Sequence, residues 1–444
     1  MPPVPKPQMV KTVWAVSLPI LFVQISETLL YVTDTAFLAR VGTTELAALA
    51  LADTLLQFWT VPVAGLIEAM VILIARRAGQ GRHGAIGKTF NLGLLLVAAV
   101  SLLLVATLKL ASPALATRVG GSNGVGTALD AFLQIAAFGI IPISLSLAIS
   151  ALYVGLARTR VLAWASLVLV ITNLALSYVL IFGQLGLPRL GMEGAALGEL
   201  GAEVATCAFL AGCTVWRRDL RRYDLACRGV WDAALTRSLV RMAVPISLQA
   251  LLEGGRWFAF FLIVENLGAE ALAWSSIIFA CYEVLLIPAA AFAETTFAMV
   301  SRLIGQTRRE TISRLARQLI VATYLVTLPL VTVGLLFPHL TLSLFTSDSS
   351  VVAAAVGSLR VIVLSMVIVI PAEIWSAAVS GTGDTDAALG IEVALTCVLL
   401  GAAFVAGPLL HLALSWVWLS LPLAWGVCLV LSYAWVRSGF WERR

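Results

Sequence analysis

A chain of 444 residues with 60% hydrophobic and only 12% charged residues has too few charges for a water-soluble globule, because soluble domains carry about 25% charged residues. The net charge of +5 does not indicate a nucleic-acid partner, since most Lys and Arg lie in alternate loops between apolar stretches, the pattern that orients membrane proteins. The composition therefore excludes a soluble protein and predicts one that crosses the membrane many times.

Twelve apolar stretches are long enough to cross a hydrocarbon core of about 30 Å as helices. We predict spans at 12–38, 46–75, 89–111, 129–156, 161–184, 192–216, 238–265, 271–300, 316–338, 350–379, 387–410 and 413–436. Six precede the basic loop 217–237 and six follow it. We therefore predict an N-terminal six-helix lobe over 1–216, a cytoplasmic basic linker over 217–237 and a C-terminal six-helix lobe over 238–444.

The basic residues predict the orientation. If the N-terminus is cytoplasmic, most of the 29 Lys and Arg fall on the cytoplasmic side. We expect a multi-pass protein of the cell inner (plasma) membrane with both termini in the cytoplasm and basic loops against anionic lipid. Only Lys6 and Lys11 precede the first span, and no small-residue cleavage site follows, so we expect a retained helix. Nothing in the sequence requires more than a monomer.

The two halves are repeats at a fixed offset of 226 residues. The matches involve uncommon residue types in an apolar chain, so chance does not explain them. They include Pro19 with Pro245, Glu27 with Glu253, Gly42 with Gly268, Pro62 with Pro288, Glu68 with Glu294, Arg76 with Arg302, and Gly155 with Gly381. An even number of helices per repeat predicts an all-α fold of two six-helix bundles related by a pseudo-two-fold axis along the membrane normal.

The spans contain many carboxylates. Each would cost about 2.5–3.5 kcal/mol if it faced lipid, which for all of them amounts to roughly 30 kcal/mol. They must therefore face water, a partner or one another. The eleven are Glu27, Asp34, Asp53, Glu68, Glu199, Glu203, Glu253, Glu283, Glu294, Glu373 and Glu392. Only Arg256 and Arg360 are embedded cations, so we expect an acidic interior that attracts cations.

Helical spacing places several polar side chains on shared faces. Glu27 and Asp34 are seven residues apart on the first helix, and Asn173 and Ser177 are four apart on the fifth; both spacings return to one face. Hard oxygen atoms in this pattern fit Na⁺ coordination or a proton site. The alternative for Asp34 is a structural hydrogen bond.

Five embedded glutamates are candidates for the substrate cavity: Glu27, Glu203, Glu253, Glu68 and Glu294. Glu203 shares a face of the sixth helix with Glu199, four residues before it, and Glu199 joins Asp34, Asn173 and Ser177 as a candidate for ion coupling. Glu253 repeats Glu27. Glu68 and its repeat Glu294 are cavity candidates too, although each could instead pair with an arginine of its own lobe.

Chemistry other than transport is poorly supported. The three histidines are far apart, the six cysteines form no C-x-x-C pair, and no hydrolase motif is present, so we expect neither a zinc site nor a disulfide framework. We expect no enzymatic activity and no cofactor, except for H⁺ or Na⁺ as the coupling ion.

Several short motifs, in order along the whole chain, resemble multidrug and toxic compound extrusion (MATE) transporters. They are Pro19, Asp34, Val41-Gly42, Glu45-Leu46-Ala47-Ala48, Gly79-Gln80 with Gly305-Gln306, the turn 155–159 with its counterpart Gly381-Thr382-Gly383-Asp384-Thr385, and the segment 191–196.

The resemblance implies a V-shaped pair of six-helix bundles that export cationic or amphipathic compounds against inward H⁺ or Na⁺ flow. Asp34 falls on a first-helix aspartate implicated in coupling, and Asn173 on a fifth-helix asparagine, so Na⁺ would bind at these two. The DinF-like branch often has an aspartate where this chain has Ser177, and Glu199 could supply the missing carboxylate. Glu253 resembles a glutamate of other branches, which leaves the branch open.

The leading hypothesis is a secondary antiporter that exports cationic or amphipathic small molecules. Pro19 and Pro245 are the predicted helix bends, because proline removes a backbone hydrogen bond. One alternative is a lipid-linked oligosaccharide flippase of the same superfamily, although twelve helices and an acidic interior favour the exporter. The other alternative is a membrane binding protein or enzyme without transport activity.

Overall fold

The computed structural model describes residues 6–121, 124–225, 231–345 and 348–439. Throughout these residues the regular elements are helices, and twelve segments are long and apolar enough to cross a membrane. The fourteen α-helices are α1 (Lys6–Ala39), α2 (Thr43–Gly79), α3 (His83–Val119), α4 (Val125–Gly155), α5 (Arg160–Phe182), α6 (Met192–Trp216), α7 (Ala233–Glu265), α8 (Ala269–Gly305), α9 (Ile312–Leu336), α10 (Pro338–Ser343), α11 (Ser349–Gly381), α12 (Thr385–Phe404), α13 (Leu414–Trp418) and α14 (Ser420–Ser438). The all-α prediction and its twelve spans are confirmed.

The helices differ from the predicted spans mainly in length. Helices α2, α3 and α8 have 37 residues each, about 55 Å at 1.5 Å per residue, so they are longer than the hydrocarbon core. The eleventh span ends in a π-helical turn, Val405–Leu409, that contains Pro408. The twelfth is divided into α13 and α14. Apolar length predicted where each span lies, but hydropathy does not register polar turns that continue a helix.

The chain forms two compact units, and their boundaries differ from the predicted lobes. Unit 2 comprises Leu18–Ser247, and unit 1 comprises Met1–Ser17 with Leu248–Arg444. The first part of α1, up to Ser17, therefore belongs to unit 1 with most of the second repeat. The first part of α7, up to Ser247, belongs to unit 2 with most of the first repeat. A repeat in sequence marks duplicated segments, whereas packing decides which unit the first turns join.

The first part of α1 is fixed to α8 within unit 1. The Ser17 hydroxyl donates a hydrogen bond to the Thr295 hydroxyl at 2.9 Å, and both residues are fully buried. Trp14 meets Phe292 edge to face, with ring centroids 5.7 Å apart. Buried hydrogen bonds between helices stabilise packing in a membrane, where lipid gives no hydrophobic drive for helix association.

The first part of α7 packs on α2 within unit 2 in a comparable way. The Ser247 hydroxyl donates to the Val61 carbonyl at 3.3 Å. Gly65 lets the helices approach closely, since an added Cβ there would lie 2.6 Å from the Ala243 carbonyl oxygen. The predicted bend sites lie near these crossings: Pro19 is two residues beyond the unit boundary in α1, and Pro245 two residues before it in α7.

Part of the predicted linker docks on unit 2. A 3-10 helix, Arg218–Tyr223, buries Leu220 and Tyr223. A Cβ on Gly87 of α3 would lie only 2.2 Å from the Tyr223 carbonyl oxygen, so glycine is required for this contact. Residues 226–230 of the predicted linker lie outside the described part of the chain.

The duplicated glycines Gly155 and Gly381 make matching contacts in the two units. A Cβ on Gly155 would lie 2.7 Å from Ile74 Cγ2, and one on Gly381 would lie 3.1 Å from Val300 Cβ. Ile74 and Val300 are themselves related by the 226-residue offset. The duplication therefore extends from the sequence to the contact between the fourth and second helices of each repeat.

This contact predicts a selective loss of stability on Gly155→Ala. The methyl group would overpack α4 against α2 and should destabilise the protein by about 1–3 kcal/mol, measured as a lower midpoint of thermal unfolding in detergent. Gly139→Ala, on the same helix, is the control, because its Cβ would have open space within the described structure and helix propensity alone predicts a gain of about 0.5–1 kcal/mol. Equal midpoints for the two variants would refute the close contact.

Candidate functional site

Unit 2 brings together most of the polar residues selected from the sequence, which we call the unit 2 cluster: Asp34 of α1, Asp53 of α2, Asn173 and Ser177 of α5, and Glu199 of α6. Asp53 acts electrostatically on Asp34, and the Asn173 side chain is within hydrogen-bonding reach of Asp34. The negative charges of Asp34 and Asp53 also act on the Glu199 carboxyl group. Four helices thus direct oxygen-bearing side chains to one place.

Three oxygens of this cluster are buried and lack a hydrogen-bond partner within the described structure. They are Asp34 Oδ1, Asn173 Oδ1 and Ser177 Oγ. Asn173 is 2% exposed and Ser177 is fully buried. Buried polar atoms are nearly always satisfied in folded proteins, and an unsatisfied one costs about 1–3 kcal/mol. A carboxylate, an amide and a hydroxyl oxygen suit a small hard cation such as Na⁺.

A row of glycines on α6 sets the approach of α5. Gly194, Gly198 and Gly201 lie on one helical face, and an added Cβ at Gly198 would be 2.4 Å from Ser177 Oγ and 2.8 Å from Ser177 N. The absence of side chains at these positions lets α5 lie directly on α6. Ser177 is thereby held against Gly198, the residue before Glu199.

A second pair of carboxylates lies along the same two helices. The negative charge of Glu27 on α1 acts on the Glu203 carboxyl group of α6. The charge of Glu203 in turn acts on Glu199. Glu27 and Glu199 have exposed surface, while Glu203 is half-buried. Helices α1 and α6 therefore carry a chain of acidic side chains from Glu27 and Glu203 to Glu199 and Asp34, along which a cation or proton could move.

Unit 1 contains a separate acidic group centred on an arginine. Arg256 of α7 forms an ion pair with Glu392 of α12 through Nη1, and the same Nη1 lies 3.5 Å from Thr396 Oγ1. Its Nη2 lies 3.8 Å from Glu253 Oε1, one helical turn away. Arg256 is 3% exposed, so its charge is removed from solvent and compensated locally.

Further carboxylates surround this ion pair. Glu373 of α11 interacts electrostatically with four charged residues: Glu253, Glu392, Glu283 and Arg256. We call these five residues the unit 1 cluster. Its carboxylates come from four helices, α7, α8, α11 and α12.

Aromatic rings pack beside the unit 1 cluster. Tyr282 is almost fully buried. It interacts electrostatically with Arg256 and with three of the carboxylates, Glu253, Glu283 and Glu373. Trp257 packs against Tyr282 with centroids 5.5 Å apart, and Phe260 against Trp418 at 4.8 Å. These ring contacts pack α7 against α8 and α13 beside the unit 1 cluster.

The other sequence candidates are distributed more widely. Glu68 is exposed on α2 and Glu294 is half-buried on α8; each takes part in an interaction of its own. Pro19 and Pro245 lie inside α1 and α7. Their roles as cavity residues and bend sites stay predictions.

The sequence identified Asp53, Glu283, Glu373 and Glu392 as embedded carboxylates but assigned them no partner or role. A signal for the unit 1 cluster was available, since Arg256 stands three residues after Glu253, on the same face of an apolar helix. An embedded arginine needs a carboxylate partner. The sequence could not identify Glu392 as that partner, because it is 136 residues away.

The comparison with known families accounts for the duplication. A single family model, MatE, matches the chain twice, at residues 19–179 and 245–405, which together cover well over half of it. The chain belongs to the MatE family. This confirms the resemblance noted from its motifs, and MatE proteins are transporters.

A curated relative extends the comparison. The chain is 29% identical over 259 residues to a probable multidrug resistance protein NorM of Rhizobium meliloti, an alignment that covers 57% of this chain and 55% of the relative. The chain thus aligns over about half the length of such relatives.

Solved MATE structures establish the fold of this family member. The structure of MATE in the bent conformation has a TM-score of 0.89 at 19% identity and covers 98% of both chains. MATE in the straight conformation has a TM-score of 0.88 at 20% identity, covering 98% of this chain and 97% of that one.

The two family matches have equal lengths at the 226-residue offset, which allows a position-by-position comparison of the clusters. Asp34 corresponds to Phe260, and Asn173 corresponds to Leu399. Both counterparts are buried apolar residues of unit 1. The polar residues Asp34 and Asn173 of the unit 2 cluster therefore have no polar counterpart in the second repeat.

We expect the unit 2 cluster to depend on the glycine row. Gly198→Ala should force α5 away from α6, because the new methyl group would meet the backbone of Ser177, and this should displace Asn173 from Asp34. The predicted outcome is a lower midpoint of thermal unfolding in detergent, since overpacking costs about 1–3 kcal/mol. Gly212→Ala on the same helix has open space within the described structure and should not lower the midpoint. An unchanged midpoint for Gly198→Ala would disprove the requirement.

Proposed function

We propose that this MatE-family protein is a secondary antiporter that exports cationic or amphipathic small molecules in exchange for H⁺ or Na⁺. The observation that carries the proposal is the set of three unpartnered buried oxygens, on Asp34, Asn173 and Ser177. An ion that binds and dissociates during transport would be coordinated by these oxygens in only part of the transport cycle. Relatives described as multidrug resistance proteins support the exporter reading.

The coupling step follows from the charges of the unit 2 cluster. Asp34, Asp53 and Glu199 repel one another when all are ionised, so binding of a cation or proton relieves this repulsion. Binding can drive transport only if the ion has unequal affinity for the two states of the cycle. We propose that ion loading changes α1 near Pro19, where the chain passes from unit 1 to unit 2.

Substrate would be recognised by carboxylates with accessible surface. Glu27 is exposed on α1, and the Glu253 side chain is 60% exposed on α7. We propose that Glu27 with Glu203 in unit 2, and Glu253 in unit 1, each attract the positive group of a substrate, while neighbouring aromatic and aliphatic side chains of the same unit contact its apolar part. Glu68 and Glu294 are further proposed cavity residues.

We further propose that the protein acts as a monomer in the inner membrane with both termini in the cytoplasm. The linker supports this orientation, since Arg218, Arg221 and Arg222 are exposed on the docked 3-10 helix. Basic side chains at that position suit the anionic cytoplasmic leaflet.

Asp34→Asn tests the coupling role. The amide keeps the size of the side chain but can neither release a proton nor neutralise a cation, so we expect the rate of coupled export to fall on the order of tenfold or more, as for other groups essential to a cycle. The measurement is efflux of a fluorescent organic cation from cells that lack their own pumps. Glu193→Gln, exposed in the first turn of α6, is the control and should transport normally. Export by Asp34→Asn at the wild-type rate would refute the proposal.

Ser177→Ala distinguishes the two coupling ions. If Na⁺ is the driving ion, loss of the Ser177 hydroxyl removes one oxygen ligand and should raise the Na⁺ concentration for half-maximal export. If H⁺ is the driving ion, export should be independent of Na⁺ and abolished by a protonophore in both the wild type and the variant. The assay is transport in proteoliposomes under an imposed Na⁺ or H⁺ gradient. Transport that responds to neither gradient would contradict secondary antiport itself.

A further inference from the structure

The two acidic clusters differ in one respect that the duplication does not explain. The unit 1 cluster has a basic side chain at its centre, the buried Arg256. In the unit 2 cluster, the charges that act on Asp34 and Glu199 within the described structure are other carboxylates. The 226-residue offset places Leu30 and Ser166 at the positions of Arg256 and Glu392. The arginine and its partner thus belong to the second repeat alone.

The guanidinium of Arg256 is a cation that cannot leave. Arginine stays protonated at every physiological pH and carries five N–H donors in a rigid fork. Nη1 is bonded to Glu392, and Nη2 faces Glu253 at 3.8 Å. The third nitrogen, Nε, is buried without a hydrogen-bond partner among the described residues. The charge is therefore directed at the carboxylates and shielded from water.

A fixed guanidinium competes directly with a metal ion. Both bind the same carboxylate oxygens, and their like charges repel strongly where water is scarce. Without the guanidinium, carboxylates from four helices would attract a metal ion.

We propose that Arg256 is a resident counter-cation that determines ion specificity, excluding Na⁺ and other metal ions from the unit 1 cluster. The proposal rests on cation-coupled transport as the function. It assigns any exchangeable metal ion to the unit 2 cluster, where buried oxygens lack partners. It also gives Glu392 a role, since this carboxylate holds the guanidinium of Arg256 across α7 and α12.

The test measures saturable binding of radioactive Na⁺ to the purified full-length protein in detergent. All variants carry Asp34→Asn, which disables the unit 2 cluster, and the readout is the part of the binding that a further Glu373→Gln removes. With Arg256 present this part should be absent. With Arg256→Gln it should become saturable at about one ion per chain, since the freed carboxylates offer oxygen ligands to a hard cation. Arg256→Lys keeps the charge and should still exclude Na⁺.

Three results would overturn the proposal. The first is Na⁺ binding sensitive to Glu373→Gln while Arg256 is intact. The second is no such binding by the folded Arg256→Gln variant. Because removal of one member of a buried ion pair can unfold a protein, the double variant Arg256→Gln with Glu392→Gln provides a second measurement, and it should also gain Na⁺ binding through Glu253, Glu283 and Glu373; a folded double variant without this gain overturns the proposal as well. Failure of Asp34 as the coupling residue would appear in transport assays and leave this binding result unaffected.

Discussion

The cost of an uncompensated charge in hydrocarbon governs the arrangement of this protein. Each carboxylate exposed to lipid would cost about 2.5–3.5 kcal/mol, and these spans contain too many for lipid exposure. The helices therefore pack so that acidic side chains meet one another, a hydroxyl, an amide or an arginine. In unit 2 this constraint gathers α1, α2, α5 and α6 around Asp34, and in unit 1 it gathers α7, α8, α11 and α12 around Arg256.

Close helix packing allows these polar side chains to come into contact. Lipid chains are as apolar as leucine, so helices associate in membranes through van der Waals contact and hydrogen bonds, often at small residues. Gly198 allows α5 to touch α6 at Ser177, and Gly155 allows α4 to touch α2 at Ile74. A side chain at Gly198 would meet Ser177 and move this residue of the unit 2 cluster away from α6.

Duplication provided two scaffolds, and later divergence gave them different chemistry. The contact at Gly155 recurs at Gly381, and Glu27 recurs as Glu253. Apart from Glu253, the residues that define each cluster do not recur at the 226-residue offset. In the unit 2 cluster, oxygens of Asp34, Asn173 and Ser177 are buried without partners in the described structure, a feature suited to an ion that binds and dissociates. In the unit 1 cluster, the side-chain cation Arg256 is fixed among four glutamates.

The sequence by itself determined the membrane class, the twelve spans, the duplication and the family, because these depend on apolar length and on rare residues at a fixed spacing. It also selected Asp34, Asn173, Ser177 and Glu199, since helical periodicity places polar side chains on common faces. Only the tertiary structure decided that Glu392 pairs with Arg256, and that the first turns of α1 and α7 join the opposite units. The reason is physical: periodicity fixes the face of a single helix, whereas contacts between residues far apart in the chain depend on how whole helices pack.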